Sequence, residues 1–340
     1  MIGSIGSRIV GTMVLVVSAL AIGGLLLEGA VRLYTTKVAQ NLFVFDHELG
    51  WIHKASAHRY PMGDGASYLI NIDPLGLRGR PHDLSSDRRR VLVLGDSFTE
   101  GFQVSNDEVV SSVWEQLRPD LAVLNSGVSG YSTLQEIMLA HRLEPIIHPD
   151  VVVMMVCGLN DLTDNIMPFE FSIGPRPYVD ASLRRHLPDW DAFTPLLLPV
   201  PGARWLHTHS FAAYAVYRRL VPTLHGDGTS YHEDWRRRVP EPIEWQVMEN
   251  LLAGFAPGRR LIVVAVPSQG DVVSGDRTFA TRLGEIAARI GVPFVDLQPD
   301  FRAEDYLESD HHWNAAGHTV AARRLAAAIL PLRDVTASAR

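Results

Sequence analysis

The stretch from Val91 to Gly101, VLVLGDSFTEG, contains the feature that decides the fold. Four apolar residues run directly into a Gly-Asp-Ser turn, and polar residues follow. A short continuous apolar run is typical of a strand that is buried on both faces of a sheet. Ser97 therefore stands where a buried strand ends. Two hypotheses fit that position: a nucleophile, or the N-cap of a following helix.

Four more runs of this kind follow along the chain, at 121–125, 151–156, 261–266 and 292–297. Helix-like segments lie around and between them, at 106–118, 132–147, 242–256, 276–290 and 315–330. Within the second segment, TLQE at 133–136 has the form of a capping box. The alternation predicts an α/β fold of three layers, α/β/α, around a central, mostly parallel five-stranded sheet. Ligands of such sheets bind beyond the carboxyl ends of the strands.

Two segments depart from this alternation. Residues 38–90 contain scattered Pro and Gly, and they predict an extended linker that packs on the domain formed by residues 91–334. Residues 163–241 are rich in Pro and aromatic side chains, and they predict an insertion after the third strand with one helix over 203–221. Its aromatic residues either pack the insertion against the domain or form a wall beside the site.

The N-terminal residues 1–37 direct the chain to a membrane. Ile9–Leu27 carries no charge, and as a helix it would be roughly 28 Å long, close to the thickness of a bilayer's hydrocarbon core. We expect an uncleaved anchor; the alternative is a cleaved signal peptide, with Ala19-Leu20-Ala21 as its cleavage site. Basic residues lie on both sides of the span and do not settle its orientation.

Composition excludes several function classes. The 340 residues carry a formal net charge of -7 without a long basic run, so nucleic acid is not expected as a partner. Cys157 is the single cysteine, which excludes an intrachain disulfide and a cysteine-based zinc site; we expect it to be a small buried apolar residue. His207 and His209 do not share a helix face, so no metal is predicted. No glycine-rich nucleotide loop is present, and no cofactor is expected.

Four polar blocks follow the predicted strands or lie near the C-terminus. They are GDSFTEG with Ser97, NSGVSGYST with Gly127, GLND with Asn160, and DHHWN with His312. In this order they resemble the SGNH/GDSL hydrolases, a family defined by a Ser, a Gly, an Asn and a His in four short blocks. The resemblance covers residues 91–330. LGW at 49–51 and GLRG at 76–79 resemble the membrane-anchored bacterial members.

The resemblance implies a role for each of these residues. Ser97 would be the nucleophile, and His312 the base that takes its proton and later protonates the leaving alcohol. Asp310 would orient the imidazole and stabilise the imidazolium. The Ser97 N–H, the Gly127 N–H and the Asn160 side-chain amide would form the oxyanion hole.

Other polar residues of these blocks are expected to be structural. In one pattern of the family an Asp stands two residues before the base and Trp-Asn follows it, so the resemblance selects His312, with Asp310 before it, rather than its neighbour His311. Asp96 and Asp161 are expected to brace their loops. His318 is expected to cap or pack on the last helix.

The resemblance implies a flavodoxin-like fold and a serine esterase or acylhydrolase that cleaves carboxylic esters through an acyl-enzyme on Ser97. Candidate substrates are small esters, acylated lipids and acylated glycans. A domain outside the cytoplasm, at a bacterial envelope, is expected, or a secreted protein if the N-terminus is cleaved. An O-acetyltransferase or deacetylase of envelope polysaccharide is the alternative, because transfer and hydrolysis share the first half-reaction. A non-catalytic envelope protein is a third hypothesis.

Overall fold

A long N-terminal helix, α1 (Ile2–Lys37), precedes the folded domain in the computed structural model. Its stretch Ile9–Val31 is apolar and long enough to cross a bilayer, and the side chains from Ile9 to Leu27 are exposed. The structure describes residues 2–37, 43–61, 67–170, 173–193, 201–210, 212–217, 220, 241–308 and 311–329.

Two antiparallel pairs of strands follow α1. The first pair is β1 (Phe43–Asp46) with β2 (Gly50–His53), and the second is β3 (Ser56–Pro61) with β4 (Ser67–Ile72). Leu49 and Trp51 are fully buried. Arg78, in the turn before the central sheet, is also buried, and its N–H donates to the Asn125 carbonyl at 2.8 Å. The segment before residue 90 therefore contributes to the core of the domain.

Five parallel strands form the central sheet, and they fall where the apolar runs predict. They are β5 (Arg89–Leu94), β6 (Leu121–Asn125), β7 (Val151–Cys157), β8 (Leu261–Val266) and β9 (Phe294–Asp296). Across the sheet the order is β9–β8–β7–β5–β6, with every neighbouring pair parallel. From β5 the chain moves to one side of the sheet to form β6, and from β6 it crosses back to form β7 on the other side of β5. The strand order therefore reverses between β5 and β7, and a crevice lies beyond the carboxyl ends of these two strands.

Helices cover both faces of this sheet, which confirms the predicted α/β/α class. One layer holds α3 (Val110–Leu117) and α11 (Ala315–Ala328). The other holds α4 (Thr133–Ile147), α8 (Glu241–Phe255) and α10 (Thr278–Ile290). Along β5, Val91 and Val93 pack into the first layer, and Leu92 and Leu94 into the second. This alternation explains why the strand is apolar throughout.

The N-terminus of α4 differs by one residue from the prediction. Its capping box is formed by Ser132 and Gln135: the Ser132 N–H donates to Gln135 Oε1 at 3.1 Å, and the Gln135 N–H donates to Ser132 Oγ. Glu136, expected to close the box, is instead buried, and neither of its carboxylate oxygens has a hydrogen-bond partner among the described residues. Burial and the nearby Asp161 and Asp96 carboxylates raise the pKa of Glu136 well above its usual value.

The buried carboxyl group of Glu136 makes the stability of the folded domain depend on pH. The pKa of Glu136 is raised in the folded state because its ionised form is disfavoured there. The protonated carboxyl therefore contributes its full share to the free energy of unfolding below the unfolded pKa of 4.5, and this share is lost as the pH rises and the carboxyl must ionise. Glu136→Gln needs no proton, so we expect it to melt about 2–4 °C above the wild type at pH 8, the shift that 1 kcal/mol produces in a domain of this size. The two melting temperatures should converge near pH 4. Glu285→Gln, an exposed glutamate on α10, is the control, and an unchanged Glu136→Gln curve would contradict the account.

The segment after β7 contains short elements rather than further layers. The short helix α5 (Asp161–Asp164) comes first. Strand pairs then join Phe169–Glu170 to Gly174–Pro175 and Tyr178–Val179 to Arg185–His186, and short helices follow at α6 (Trp190–Phe193) and α7 (Ala203–His209). A further short helix, α9 (Gln269–Ser274), follows β8. The predicted single helix over 203–221 is wrong, because α7 ends at His209, Ser210 is not helical, and helix resumes over 212–217. Ser210 has extended backbone angles and its hydroxyl accepts from the Ala213 N–H at 3.1 Å, so it caps the second piece. Parts of this segment lie outside the described residues.

Candidate active site

Ser97 lies at the carboxyl end of β5, as the first residue of the short helix α2 (Ser97–Glu100). The preceding Asp96 is the N-cap of this helix, and its Oδ1 accepts from the Phe98 N–H at 2.9 Å. The serine hydroxyl is thereby free of the capping role. The Ser97 side chain is half-buried at the crevice of the sheet.

His312 reaches Ser97 from the loop before α11. Its Nε2 lies 2.8 Å from Ser97 Oγ, although the two residues are 215 positions apart. The His312 carbonyl accepts from the Leu307 N–H at 2.8 Å, and its ring packs on Phe98 at 4.8 Å between centroids. The adjacent Trp313 is fully buried. The loop is therefore held on both sides of the imidazole.

The neighbouring histidines have other surroundings. His311 is exposed, has a φ of 61°, and places its Nδ1 2.6 Å from Gln269 Oε1. His318 is buried on α11 and accepts from the Val110 N–H at 3.3 Å, and burial lowers its pKa to about 3. Of these three histidines, the structure brings His312 to Ser97.

Asn160 lies in the turn after β7, on the other side of the crevice. Its Nδ2 donates to Asp164 Oδ2 at 3.1 Å, and its side chain also hydrogen-bonds Asp96. Asp164 pairs at 2.8 Å with Arg176, whose side chain is fully buried. Burial raises the pKa of Asp96 to about 6, against the hydrogen bond from Phe98 and the charge of His312. The amide is thus fixed between two carboxyl groups.

Gly127 does not fit the donor role predicted for it. Its N–H donates to Asn125 Oδ1 at 2.9 Å, and a Cβ at this position would lie 2.5 Å from the Glu100 nitrogen. Glycine is needed here because α2 packs directly on the chain. Sequence reasoning missed Gly130, in the same block, which has a φ of 74° and an N–H without a hydrogen-bond partner among the described residues. The sequence did contain a signal that the Gly127 N–H is occupied. Asn125 stands two residues before Gly127, and an Asn side chain commonly bonds the backbone N–H two positions further along.

The structure describes all of the remaining predicted residues except Asp310. Asp310 lies outside the described residues, so its role stays a prediction. Asp161 is buried and its Oδ2 accepts from the Cys157 N–H at 2.6 Å, which braces the turn before Asn160. Burial raises the pKa of the Cys157 thiol well above its usual value. His207 contacts the Ile173 carbonyl at 2.9 Å. Within the described ranges, no three His, Cys, Asp or Glu side chains are grouped to hold a metal ion.

The sequence profile of the GDSL-like lipase/acylhydrolase family matches residues 93–320. That match covers more than half of the chain and spans every described residue of the site, from Ser97 to His312. The chain belongs to the GDSL-like lipase/acylhydrolase family, a class of ester-cleaving hydrolases. No curated protein sequence matches the chain.

Solved structures to which the chain is similar include three bacterial proteins. A lipolytic G-D-S-L family protein of Veillonella parvula is 12% identical, with 69% of this chain and 95% of that one covered at a TM-score of 0.40. The acetylxylan esterase Axe2 of Geobacillus stearothermophilus is 15% identical, with 72% and 94% covered at 0.40. A putative arylesterase of Agrobacterium tumefaciens is 19% identical, with 71% and 98% covered at 0.37.

Proposed function

We propose that this chain is a serine esterase that cleaves carboxylic esters through an acyl-enzyme on Ser97. The observation that carries the proposal is the 2.8 Å contact between Ser97 Oγ and His312 Nε2. A serine hydroxyl is a weak nucleophile until a base accepts its proton, and a neutral imidazole nitrogen within hydrogen-bond distance is such a base. Asp310, two residues before His312, is proposed to orient that imidazole.

In the first half-reaction, Ser97 Oγ attacks the ester carbonyl carbon and its proton passes to His312 Nε2. The tetrahedral intermediate collapses as the imidazolium gives this proton to the leaving alcohol, and the acyl group stays on Ser97. A water molecule then attacks the acyl-enzyme with His312 as the base again. The carboxylic acid leaves, and Ser97 recovers its proton.

The oxyanion that forms in both half-reactions needs donors at the same edge of the sheet. We assign this role to the N–H groups of Ser97 and Gly130 and to the Asn160 amide. Ser97 is the first residue of α2, where the backbone N–H has no intrahelical partner. The bond to Asp164 holds the Asn160 amide in place, and its second N–H, which lies beside Asp96, must exchange that carboxyl group for the oxyanion when substrate binds. Such preorganised donors are worth about 2.7–4 kcal/mol each.

We also propose that the enzyme is membrane-anchored through α1, with its domain at the outer side of a bacterial envelope. The exposed apolar side chains of α1 support the anchor, and a contact at the end of this stretch joins α1 to the insertion. Glu28, near the C-terminal end of the apolar stretch, accepts from the Ser210 hydroxyl at 2.7 Å and from the Ala212 N–H at 3.0 Å. The insertion thereby ties the domain to the end of the helix. Esters of small alcohols, lipids and envelope glycans are the proposed substrates.

Covalent labelling tests the proposed function. A fluorophosphonate probe should modify the full-length protein in detergent once per chain, and peptide mapping should place the adduct on Ser97. Ser126→Ala is the matched control: this serine follows the neighbouring strand β6, and its hydroxyl donates to the Val93 carbonyl at 2.8 Å. The control should label like the wild type. An adduct on another residue, or no adduct, would contradict a Ser97 acyl-enzyme.

A further inference from the structure

Two side chains of strand β2, Trp51 and His53, are buried behind the loop that carries Gly130. Trp51 is fully buried, and only 1% of the His53 side chain is exposed. Both belong to the segment before the central sheet, outside the four blocks that carry the proposed chemistry. Their contacts converge on one residue, Ser129, next to Gly130 in the chain.

Glu100 connects His53 to Ser129. One of its carboxylate oxygens, Oε1, contacts His53 Nε2, and the other accepts from the Ser129 N–H at 2.8 Å and from the Ser129 hydroxyl. His53 Nδ1 lies 2.9 Å from the Gly76 carbonyl oxygen, which can only accept, so Nδ1 carries a proton. His53 Nε2 faces the Glu100 carboxylate, and the His53–Glu100 pair fixes the N-terminal side of Ser129.

Trp51 fixes the other side of Ser129. Its Nε1–H donates to the Ser129 carbonyl at 3.1 Å, and its own carbonyl accepts from the Tyr131 hydroxyl at 2.5 Å. The Ser129 carbonyl and the Gly130 N–H belong to one peptide unit, which is planar and trans. In a trans peptide these two groups point in opposite directions. The bond from Trp51 therefore sets the direction in which the Gly130 N–H points.

We propose that Trp51 and the His53–Glu100 pair are positioning residues that hold the Gly130 N–H as an oxyanion donor. This inference rests on the proposed function. It gives the LGW stretch at 49–51 a role in catalysis that is exerted through the loop rather than on the substrate. An oxyanion donor acts mainly in the transition state, so its misplacement lowers kcat and leaves KM nearly unchanged.

Two substitutions at Glu100 separate a positioning role from a charge-dependent one. Glu100→Ala removes the two bonds of the carboxylate to Ser129 but leaves the bond from Trp51, and we expect kcat for an activated ester to fall about 10–100-fold, less than the loss of a whole donor. Glu100→Gln can replace all the bonds: its amide oxygen accepts from Ser129, and its amide NH₂ donates to a neutral His53. It should recover most of kcat. If Glu100→Gln is as impaired as Glu100→Ala, the positioning role is wrong.

Trp51→Phe tests the same idea without leaving a buried histidine unpaired. It removes the Nε1–H that holds the Ser129 carbonyl, and we expect kcat to fall about 10-fold with KM within about three-fold. The control is Trp114→Phe, because Trp114 is also fully buried and its Nε1 has no hydrogen-bond partner among the described residues. It should lower the melting temperature by a similar amount and leave kcat in place.

The outcomes distinguish this inference from the proposed function. Equal kcat values for Trp51→Phe and Trp114→Phe would overturn the positioning role, as would a loss confined to KM. Either result leaves the Ser97 acyl-enzyme untouched. Full activity of a Ser97→Ala variant would instead remove the proposed function, and with it the oxyanion that Gly130 is inferred to bind.

Discussion

Ser97→Ala is expected to lower kcat for p-nitrophenyl acetate by at least about 10⁴-fold, the scale on which removal of a serine nucleophile acts in enzymes of this chemistry. The methyl group cannot form the acyl-enzyme, and the remaining donors can only assist attack by water. The fold should be unchanged, because Ser97 is half-buried and the cap of α2 is provided by Asp96.

The measurement is a steady-state assay on the full-length protein in detergent, with the melting temperature recorded for each variant. Ser126→Ala, at the end of the adjacent strand, should retain activity within a few-fold of the wild type. A Ser97→Ala variant that keeps its melting temperature and one tenth or more of its kcat would show that hydrolysis does not pass through this hydroxyl.

His312→Gln is expected to produce a loss of similar size, about 10⁴-fold in kcat. A glutamine amide can occupy the position beside Ser97 Oγ, but it cannot accept the proton in the attack step. Because the serine and the base act as a unit, Ser97→Ala combined with His312→Gln should be no slower than either single variant. A multiplicative loss would mean that the two residues act independently.

The adjacent His311 provides a matched control for this prediction. It lies next to His312 in the chain but is exposed, with its Nδ1 at Gln269. His311→Asn is the suitable substitution, because Asn tolerates the positive φ of 61° found there. We expect its kcat to stay within about three-fold of the wild type, since the contact that its imidazole makes among the described residues is with Gln269, which has no role in the proposed mechanism. If His311→Asn loses activity and His312→Gln does not, the base has been assigned to the wrong histidine.

The central sheet could be predicted because each strand carries its own signal. A strand that is buried on both faces must be apolar throughout, and runs such as VLVL at 91–94 and VVVMMV at 151–156 meet that condition without reference to distant residues. The family could be predicted for a similar reason, since each of its blocks is a short local pattern at a strand end. Both predictions are confirmed by the sheet topology and by the family match over residues 93–320.

The choice between Gly127 and Gly130 could not be made in the same way. Both glycines stand in NSGVSGYST, and both are required by the structure, one by close approach of α2 and the other by its positive φ. What separates them is whether each N–H already has a partner. For Gly127 the partner is the Asn125 side chain, which is oriented by the bond from its Nδ2 to the Thr99 carbonyl of α2 at 2.7 Å.

The sequence by itself determined the apolar strands, the polar turns that end them, and the long apolar helix at the N-terminus, because each is a property of consecutive residues. Tertiary structure alone brought the predicted His312 to Ser97 across 215 positions, paired the Gly127 N–H while leaving that of Gly130 without a partner among the described residues, and placed Trp51 and His53 against the loop of Ser129. These outcomes depend on contacts between distant segments. Such contacts are fixed by the packing of whole layers, which no local pattern encodes.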